Sequence, residues 1–371
     1  MENTDALPEE WTILRQWLPA DLRALAQEKG FFMRRRGLQD AERWLRLILM
    51  HVAGGLSLKQ TVVRARELGL ARVSSVALHK RLKHAEDWLG CLTGHVLQQC
   101  WAGAASRRSA RPIRVVDATD IQEPGSTGTC LRLHYSLRLP ELRCDHYEVT
   151  DAGGGEKLGR FTFGKGEIIL ADRGYSHRAG AAAVLEAGAD FVLRWHAALF
   201  PLLRSGKAFV PLKELRRLKV GEVAEWEVNF EWEGQRHTCR LCGLRKSRQA
   251  AERARCKALN KARCNQNEPA PEYLELAEYV LVLTSLQPRQ MSTGQVLEFY
   301  RSRWQVELAF KRLKCLLALG HVPKTNDETA KAWMQAKILV ALLIEKVLLE
   351  GRFFSPWGYP TEWSEPLAVF P

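Results

Sequence analysis

Asp117, Asp172 and Glu307 are three acids on separate elements of a 371-residue chain, each placed where it could reach one edge of a sheet. The β-branched run IRVVDAT leads into Asp117, and the apolar run in GEIILADRGYS ends at Asp172. Glu307 lies inside YRSRWQVELAFKRLK, residues Tyr300 to Lys314. Hard carboxylate oxygens that converge in this way suit Mg²⁺ or Mn²⁺. Two such ions about 3.5–4 Å apart can serve an in-line phosphodiester displacement, one activating the attacking oxygen and one stabilising the leaving oxygen. An aspartate at a strand end is often only a turn former or helix cap. Two of them, with a glutamate on a later helix, make a different case.

The third acid has cationic company. Ser292 followed by Gln295 predicts a capped helix start, and no proline interrupts the helical pattern from there to Leu319. At about 100° per residue, Tyr300, Arg303, Glu307, Lys311 and Lys314 share a stripe roughly 80° wide on that one helix. Leu308, Phe310, Leu313, Leu316 and Leu317 supply its apolar side. The plain alternative is a solvated face with Glu307 paired to Lys311, worth a few tenths of a kcal/mol.

The elements that must position these groups follow in chain order. Residues 10 to about 101 read as helices, with Asp40 capping AERWLRLILMHVAGG. Ser57 and Ser74 or Ser75 cap two further short helices, the first ending near Gly69. Their pairing is like a helix-turn-helix with His79, Lys80, Arg81, Lys83 and His84 on its later member. Gly103 to Pro112 reads as a linker, and Glu123 to Gly128 as a turn. LRLHYSLRL and CDHYEVTD form an antiparallel pair joined near Pro140. A short helix around Glu156–Phe161, the Asp172 strand, a helix over HRAGAAAVLEAGA and the strand DFVLRW complete an α/β pattern.

Between Trp195 and Tyr279 the character changes to paired strands around a Glu-Gly turn. There, residues Arg245 to Arg263 carry eight basic residues against the single acid Glu252, a run that suits a solvated face or a phosphate backbone. YVLVLTSL then returns as a buried strand, Asp327 caps a long apolar helix, and the tail from Gly351 is irregular.

Composition narrows the class. Lys+Arg 55 against Asp+Glu 42 gives a formal charge of +13, which favours a polyanionic partner. No apolar run reaches the ~18–20 residues of a membrane span, and the acidic start MENTDALPEEW lacks a signal-peptide core, so a soluble, unexported protein is expected. Nine scattered cysteines argue against a disulfide framework. Cys239-x-x-Cys242 with Cys256 and Cys264 invites zinc, but the wide second spacing favours free thiols.

The three acidic blocks, in this order, resemble the DDE transposases of the insertion-sequence-4 group. VVDATDIQEPGSTGT is similar to that group's first-aspartate block and ILADRGYS to its second. Tyr300-x2-Arg303-x3-Glu307-x6-Lys314 fits its YREK signature at every spacing. The resemblance runs from about Arg111 to Lys314. It implies a mixed α/β architecture with a ribonuclease-H-like core, a β-rich insertion, an all-α N-terminal domain and a C-terminal helix. The expected boundaries are 1–110 for the helical DNA-binding region, 111–196 and 277–350 for the two parts of the core, 197–276 for the insertion and 351–371 for the tail.

The same resemblance implies that Asp117, Asp172 and Glu307 are catalytic and ligate two Mg²⁺ ions, with Mn²⁺ as a substitute. Tyr300, Arg303, Lys311, Lys314 and Arg173 are then DNA contacts. The implied activity is cleavage and strand transfer on double-stranded DNA, at terminal inverted repeats and in a target, by a homodimer passing through hairpin ends. The implied location is the bacterial cytoplasm, at the nucleoid. Tyr279 is a possible stacking partner for a flipped base, with a packed core residue as the favoured reading. A metal-dependent nuclease without strand transfer and a transposase-derived regulator without catalysis stand as alternatives.

Overall fold

The computed structural model describes residues 9–32, 38–101, 111–122, 131–264, 266–320, 322 and 327–351. The acidic start, most of the expected linker, the Glu123–Gly128 turn, the Asp327 side chain and the tail beyond residue 351 lie outside the described residues. By packing, the chain divides into two units.

The first unit holds helices α1 (Glu9–Arg15), α2 (Leu22–Glu28), α3 (Ala41–Ala53), α4 (Leu58–Glu67), α5 (Ser75–Leu82) and α6 (Glu86–Trp101). Their starts follow the side chains that satisfy the first free amides. Asp40 accepts from Arg43 N, Ser57 and Gln60 form a reciprocal capping box, and Ser74 accepts from Ala77 N. Gly69, at φ 65°, lies just past α4 as expected. Arg81 of α5 is drawn inward. Its guanidinium lies over the rings of Phe31, Phe32 and Trp44, and it donates to the Phe31 carbonyl at 2.5 Å. That places one of the basic residues of this helix pair in the packing of the unit.

The second unit carries most of a ten-stranded sheet in the order β3-β2-β1-β4-β5-β10-β9-β8-β6-β7. Its first strands are β1 (Ile113–Ile121), β2 (Leu131–Leu139), β3 (Arg143–Asp151) and β4 (Ile168–Ala171), followed by α7 (Arg178–Glu186) and β5 (Asp190–Arg194). The connection Pro140–Leu142 is too short for anything but an antiparallel β2–β3 pair. β1, β4 and β5 run parallel, β4 and β5 being joined through α7, and the all-buried IILA of β4 is what a central parallel strand requires. The expected helix near Glu156–Phe161 is a single 3-10 turn, Leu158–Arg160.

Four strands follow: β6 (Leu203–Arg204), β7 (Lys207–Ala208), then α8 (Leu212–Leu215), β8 (Val223–Trp232) and β9 (Gln235–Arg245). β8 and β9 turn at Glu233-Gly234, both at positive φ, a conformation that suits a tight hairpin. Helices α9 (Arg248–Cys264) and α10 (Pro271–Leu276) lead to β10 (Tyr279–Thr284), which pairs antiparallel with both β5 and β9. Residues 203–245 therefore extend the same sheet. Tyr279 is fully buried in it, as core packing predicts.

Beyond β10 lie α11 (Thr293–Arg301), α12 (Trp304–Leu316) and α13 (Asp327–Gly351). The first unit takes up the chain from Lys311 onward, and α13 packs there on α6, α3 and α5. Within α13, Lys337 is buried with its ammonium 4.9 Å from the Trp333 ring. Among the described residues, no helix is long and apolar enough to cross a membrane. The eight described cysteines are free thiols, and burial drives Cys239 and Cys242 upward in pKa, the latter to about 12.

One buried ionic group holds the β1-β2-β3 side of the sheet to the entry of β4. Arg114 of β1 pairs with Asp145 of β3 (2.9 Å) and Glu167 (3.3 Å), and donates to Ser136 Oγ of β2 and the Thr162 carbonyl. Arg138 of β2 closes the group on Glu167 at 2.8 Å. Replacing Arg114 by Met would leave two carboxylates buried beside a single cation. The expected loss is about 3–5 kcal/mol, read by urea unfolding; a change below about 1 kcal/mol would show that the group does not hold these strands.

Candidate active site

Strand register sets the first two acids. Val116 of β1 is opposite Ala171 of β4, so Asp117 and Asp172 follow side by side at the ends of adjacent parallel strands. Neighbouring strands lie about 4.8 Å apart. Ala171 is in turn opposite Leu193 of β5, which puts Arg194 next in the row. Asp172 also caps the 3-10 turn Arg173–Tyr175, its Oδ1 accepting from Gly174 N at 2.5 Å. Among the described residues its other oxygen accepts no hydrogen bond.

The third acid arrives through a broken helix. One continuous helix was expected from Ser292 to Leu319; α11 instead stops at Arg301 and α12 starts at Trp304. Between them the backbone bonds tighten to i→i+3, and the Ser302 hydroxyl takes the Phe299 carbonyl at 2.7 Å. Arg303 sits in this break and Glu307 in the first turn of α12. The start of α11 is held by Glu225 of β8, which accepts from Thr293 Oγ1 (2.5 Å) and from Arg240 (2.6 Å). Phe310 fixes α12 against Tyr135 of β2, ring centroids 5.7 Å apart.

Arg303 joins the acids. Its Nη1 donates to Asp117 Oδ2 at 3.2 Å and its Nη2 to Glu307 Oε1. The i,i+4 partner of Glu307 is thus Arg303, where the sequence suggested Lys311. The guanidinium also lies 5.8 Å from the Tyr300 ring. Burial works against the charge of Arg303, but Tyr300, Glu307 and Asp117 more than offset it and hold the group protonated. Burial pushes the Tyr300 phenol up to about 12, so it remains a donor at neutral pH. Arg173 lies 5.4 Å over the Tyr273 ring of α10. Lys311 and Lys314 lie further along α12, exposed, and among the described residues neither has an acidic partner.

Three groups escaped the reading of the sequence. Arg194 shares its surroundings with Tyr300, Arg173, Asp172 and Arg303, and burial lowers its pKa. Its strand was legible, and counting register across β4 and β5 would have found it. Lys246, just past β9, donates to the Ala277 carbonyl at 2.5 Å; burial, then Arg194 and Arg173, bring its amine down to about 8. Glu156 is a fourth acid within the field of Asp117, and its carboxylate lies so close to Gly174 that a Cβ there would meet it at 1.5 Å. Lys246 was legible only as one member of the Arg245–Arg263 basic run, and no sequence pattern marks Glu156.

The carboxylate pair fits a divalent cation on electrostatic grounds. Burial first, then the charge of Asp172, push the Asp117 carboxyl up to about 7, against the help of the Ala118 amide and Arg303. Hard oxygens on a half-buried like-charged pair are a donor set that a cation would stabilise. Among the described residues, no three such side chains already stand as a closed ligand group.

The raised pKa has a sign that can be measured. Well below the ordinary value of 3.8 the Asp117 carboxyl is protonated both folded and unfolded, and no penalty arises. Through pH 4–7 the unfolded chain ionises while the folded one resists, and above about 7 the full penalty applies. With EDTA present, Asp117→Asn should therefore raise stability at pH 8 by about 1–3 kcal/mol and by far less near pH 4. Equal effects at both pH values, read by denaturant unfolding, would contradict this account.

Comparison with known proteins identifies the family. The profile of the family described as "Transposase DDE domain" matches residues 108–343. The transposase InsL of insertion sequence element IS186A, from Escherichia coli strain K12, is 35% identical over 345 residues, spanning 91% of this chain and 93% of InsL. The transposase of insertion sequence element IS421 from Escherichia coli is 35% identical over 346 residues, with the same coverage. The piggyBac transposase, solved as a synaptic complex with hairpin DNA, shares the fold at a TM-score of 0.50 and 12% identity, covering 92% of this chain and 76% of that one. A ribonuclease-H-like mixed α/β architecture, with helices at both ends of the chain, accounts for that likeness. With the profile spanning both strand-end aspartates and Glu307, the chain belongs to the DDE transposases of insertion-sequence type.

Proposed function

We propose that Asp117, Asp172 and Glu307 carry the DNA cleavage and strand transfer of this transposase, acting on the terminal repeats of its element and on a target duplex. The observation that carries this reading is the β1–β4 register, which sets two half-buried carboxylates side by side, with that of Asp117 pushed up to about 7. The DDE domain implies divalent-metal dependence. We assign Mg²⁺, two ions, with Mn²⁺ able to substitute; when bound they supply Lewis acidity to the attacking and leaving oxygens.

The chain's own groups do the rest. Asp117 and Asp172 would hold the ions from the rigid sheet, and Glu307 would complete the set from α12. Arg303, paired with two of these acids, is placed to turn its guanidinium to a phosphate as they take up cations. Tyr300 offers a protonated phenol beside it, and Arg173, Lys311 and Lys314 add further phosphate contacts.

The finer assignment to the insertion-sequence-4 group rests on the Tyr300-x2-Arg303-x3-Glu307-x6-Lys314 spacing. From it we infer excision through hairpin ends by a synaptic homodimer, with the N-terminal helices (1–110) reading the repeat and residues 197–276 forming the insertion. The piggyBac synaptic complex with hairpin DNA is consistent with this route.

Glu307→Gln should abolish metal-dependent cutting of a labelled duplex carrying the element's end, lowering the rate at least about 10³-fold while end binding persists. EDTA should have the same effect on the unaltered protein. Retained cutting by the variant would remove Glu307 from the ligand set. Cutting without joining to a target plasmid would indicate a nuclease.

A further inference from the structure

The structure contains one helix whose charges its own packing does not explain. α9 runs for 17 residues and buries none of them, standing instead on half-covered alanines Ala250, Ala251, Ala254, Ala258 and Ala262. Arg253, Lys257 and Lys261 recur at i, i+4 and i+8, along one exposed stripe about 12 Å long. Neither the residues three and four positions away nor any other described residue offers these cations an acid. Glu252 lies on a different side of the helix, and so does the one ion pair that α9 makes among the described residues, Arg255 to Glu278 at 3.4 Å.

Like charges at i,i+4 destabilise a helix by about 0.2–0.5 kcal/mol per pair, and this stripe holds two such pairs in succession. An ordinary solvated helix intersperses acids. Here the stripe stays cationic at a cost that only an outside anion would reverse.

Its position is equally specific. α9 packs on α10, and Tyr273 of α10 lies under the guanidinium of Arg173, the residue directly after Asp172. Next to that loop, His196 lies within the fields of Arg173, His177 and Lys261, so the end of the stripe approaches the strand ends that carry the acids.

We propose that α9 is a rail for double-stranded DNA, its Arg253, Lys257 and Lys261 stripe taking successive backbone phosphates of the duplex that leads to the site of cutting. This deepens the function proposed above and rests on it for the identity of the duplex. The contacts are to phosphate, so the rail holds DNA without regard to sequence, and recognition of the repeat lies elsewhere.

The test is a salt titration on the full chain. Binding to a labelled end-bearing duplex, and to an unrelated duplex of equal length, is measured with Ca²⁺ in place of Mg²⁺ at several salt concentrations. The Arg253→Ala/Lys257→Ala/Lys261→Ala variant keeps the helix, since alanine favours it, and circular dichroism checks this. Three lost phosphate contacts should make the slope of log K against log salt shallower by about 2–3, equally on both duplexes. A second variant on the other side, Arg248→Ala/Arg255→Ala/Arg263→Ala, should change the slope by less than about 1.

An unchanged slope in the first variant, or an equal change in the second, would overturn the rail. A change on the end-bearing duplex alone would overturn its sequence independence. Unaltered protein that binds with a steep slope but never cuts in Mg²⁺ would count against the proposed catalysis and leave the rail standing. Unaltered protein that binds neither duplex would end both readings.

Discussion

Two half-buried carboxylates at the ends of adjacent parallel strands are the constraint around which the second unit is built. Asp117 and Asp172 repel each other in a setting that already disfavours charge, and the Asp117 carboxyl titrates near 7 in consequence. A fold does not retain that arrangement for its own stability. The surrounding cations answer it: Arg303 bonds Asp117 directly, and Arg194 stands next to Asp172 in the row of strand ends. The same cations are of the kind that suits the phosphates of a nucleic acid.

The sheet holds the two strand-end acids rigidly, and the third acid is mounted on a helix instead. Asp117 and Asp172 are held by parallel ladders and by the buried Arg114 group one strand-length away. Glu307 is 58% exposed, on a helix that starts at a break, and its described partner is a guanidinium four residues earlier. An acid mounted in this way can adjust its position by a rotamer change, whereas Asp172 is tied to the Gly174 amide and Asp117 to the Ala118 amide and Arg303. The broken helix is therefore a structural feature of the site, produced locally by a serine hydroxyl competing for a helical carbonyl.

Charge is distributed unevenly between work inside the fold and work outside it. Arg81, Arg114, Arg240 and Lys337 are drawn into aromatic or ionic surroundings and serve packing. Lys311, Lys314 and the stripe on α9 remain exposed, without acidic partners among the described residues. A net charge of +13 says nothing about this division, because it depends on which side chains have a partner within reach.

The one-dimensional chain determined what depends on local chemistry. Caps at Ser57, Ser74 and Ser292, the β-branched runs before Asp117 and Asp172, and the Glu-Gly hairpin turn follow from side-chain bonds and steric preferences within a few residues. The spacing from Tyr300 to Lys314 named the third acid and its company for the same reason. Tertiary structure decided the remainder. The break at Ser302-Arg303 escapes periodicity, since an i→i+3 bond and an i→i+4 bond leave the same sequence pattern. Arg194 joins the site only through a parallel register, and Lys246 and Glu156 only through contacts across long loops. Register and loop closure are settled by which buried surfaces fit together, and no stretch of sequence carries that information alone.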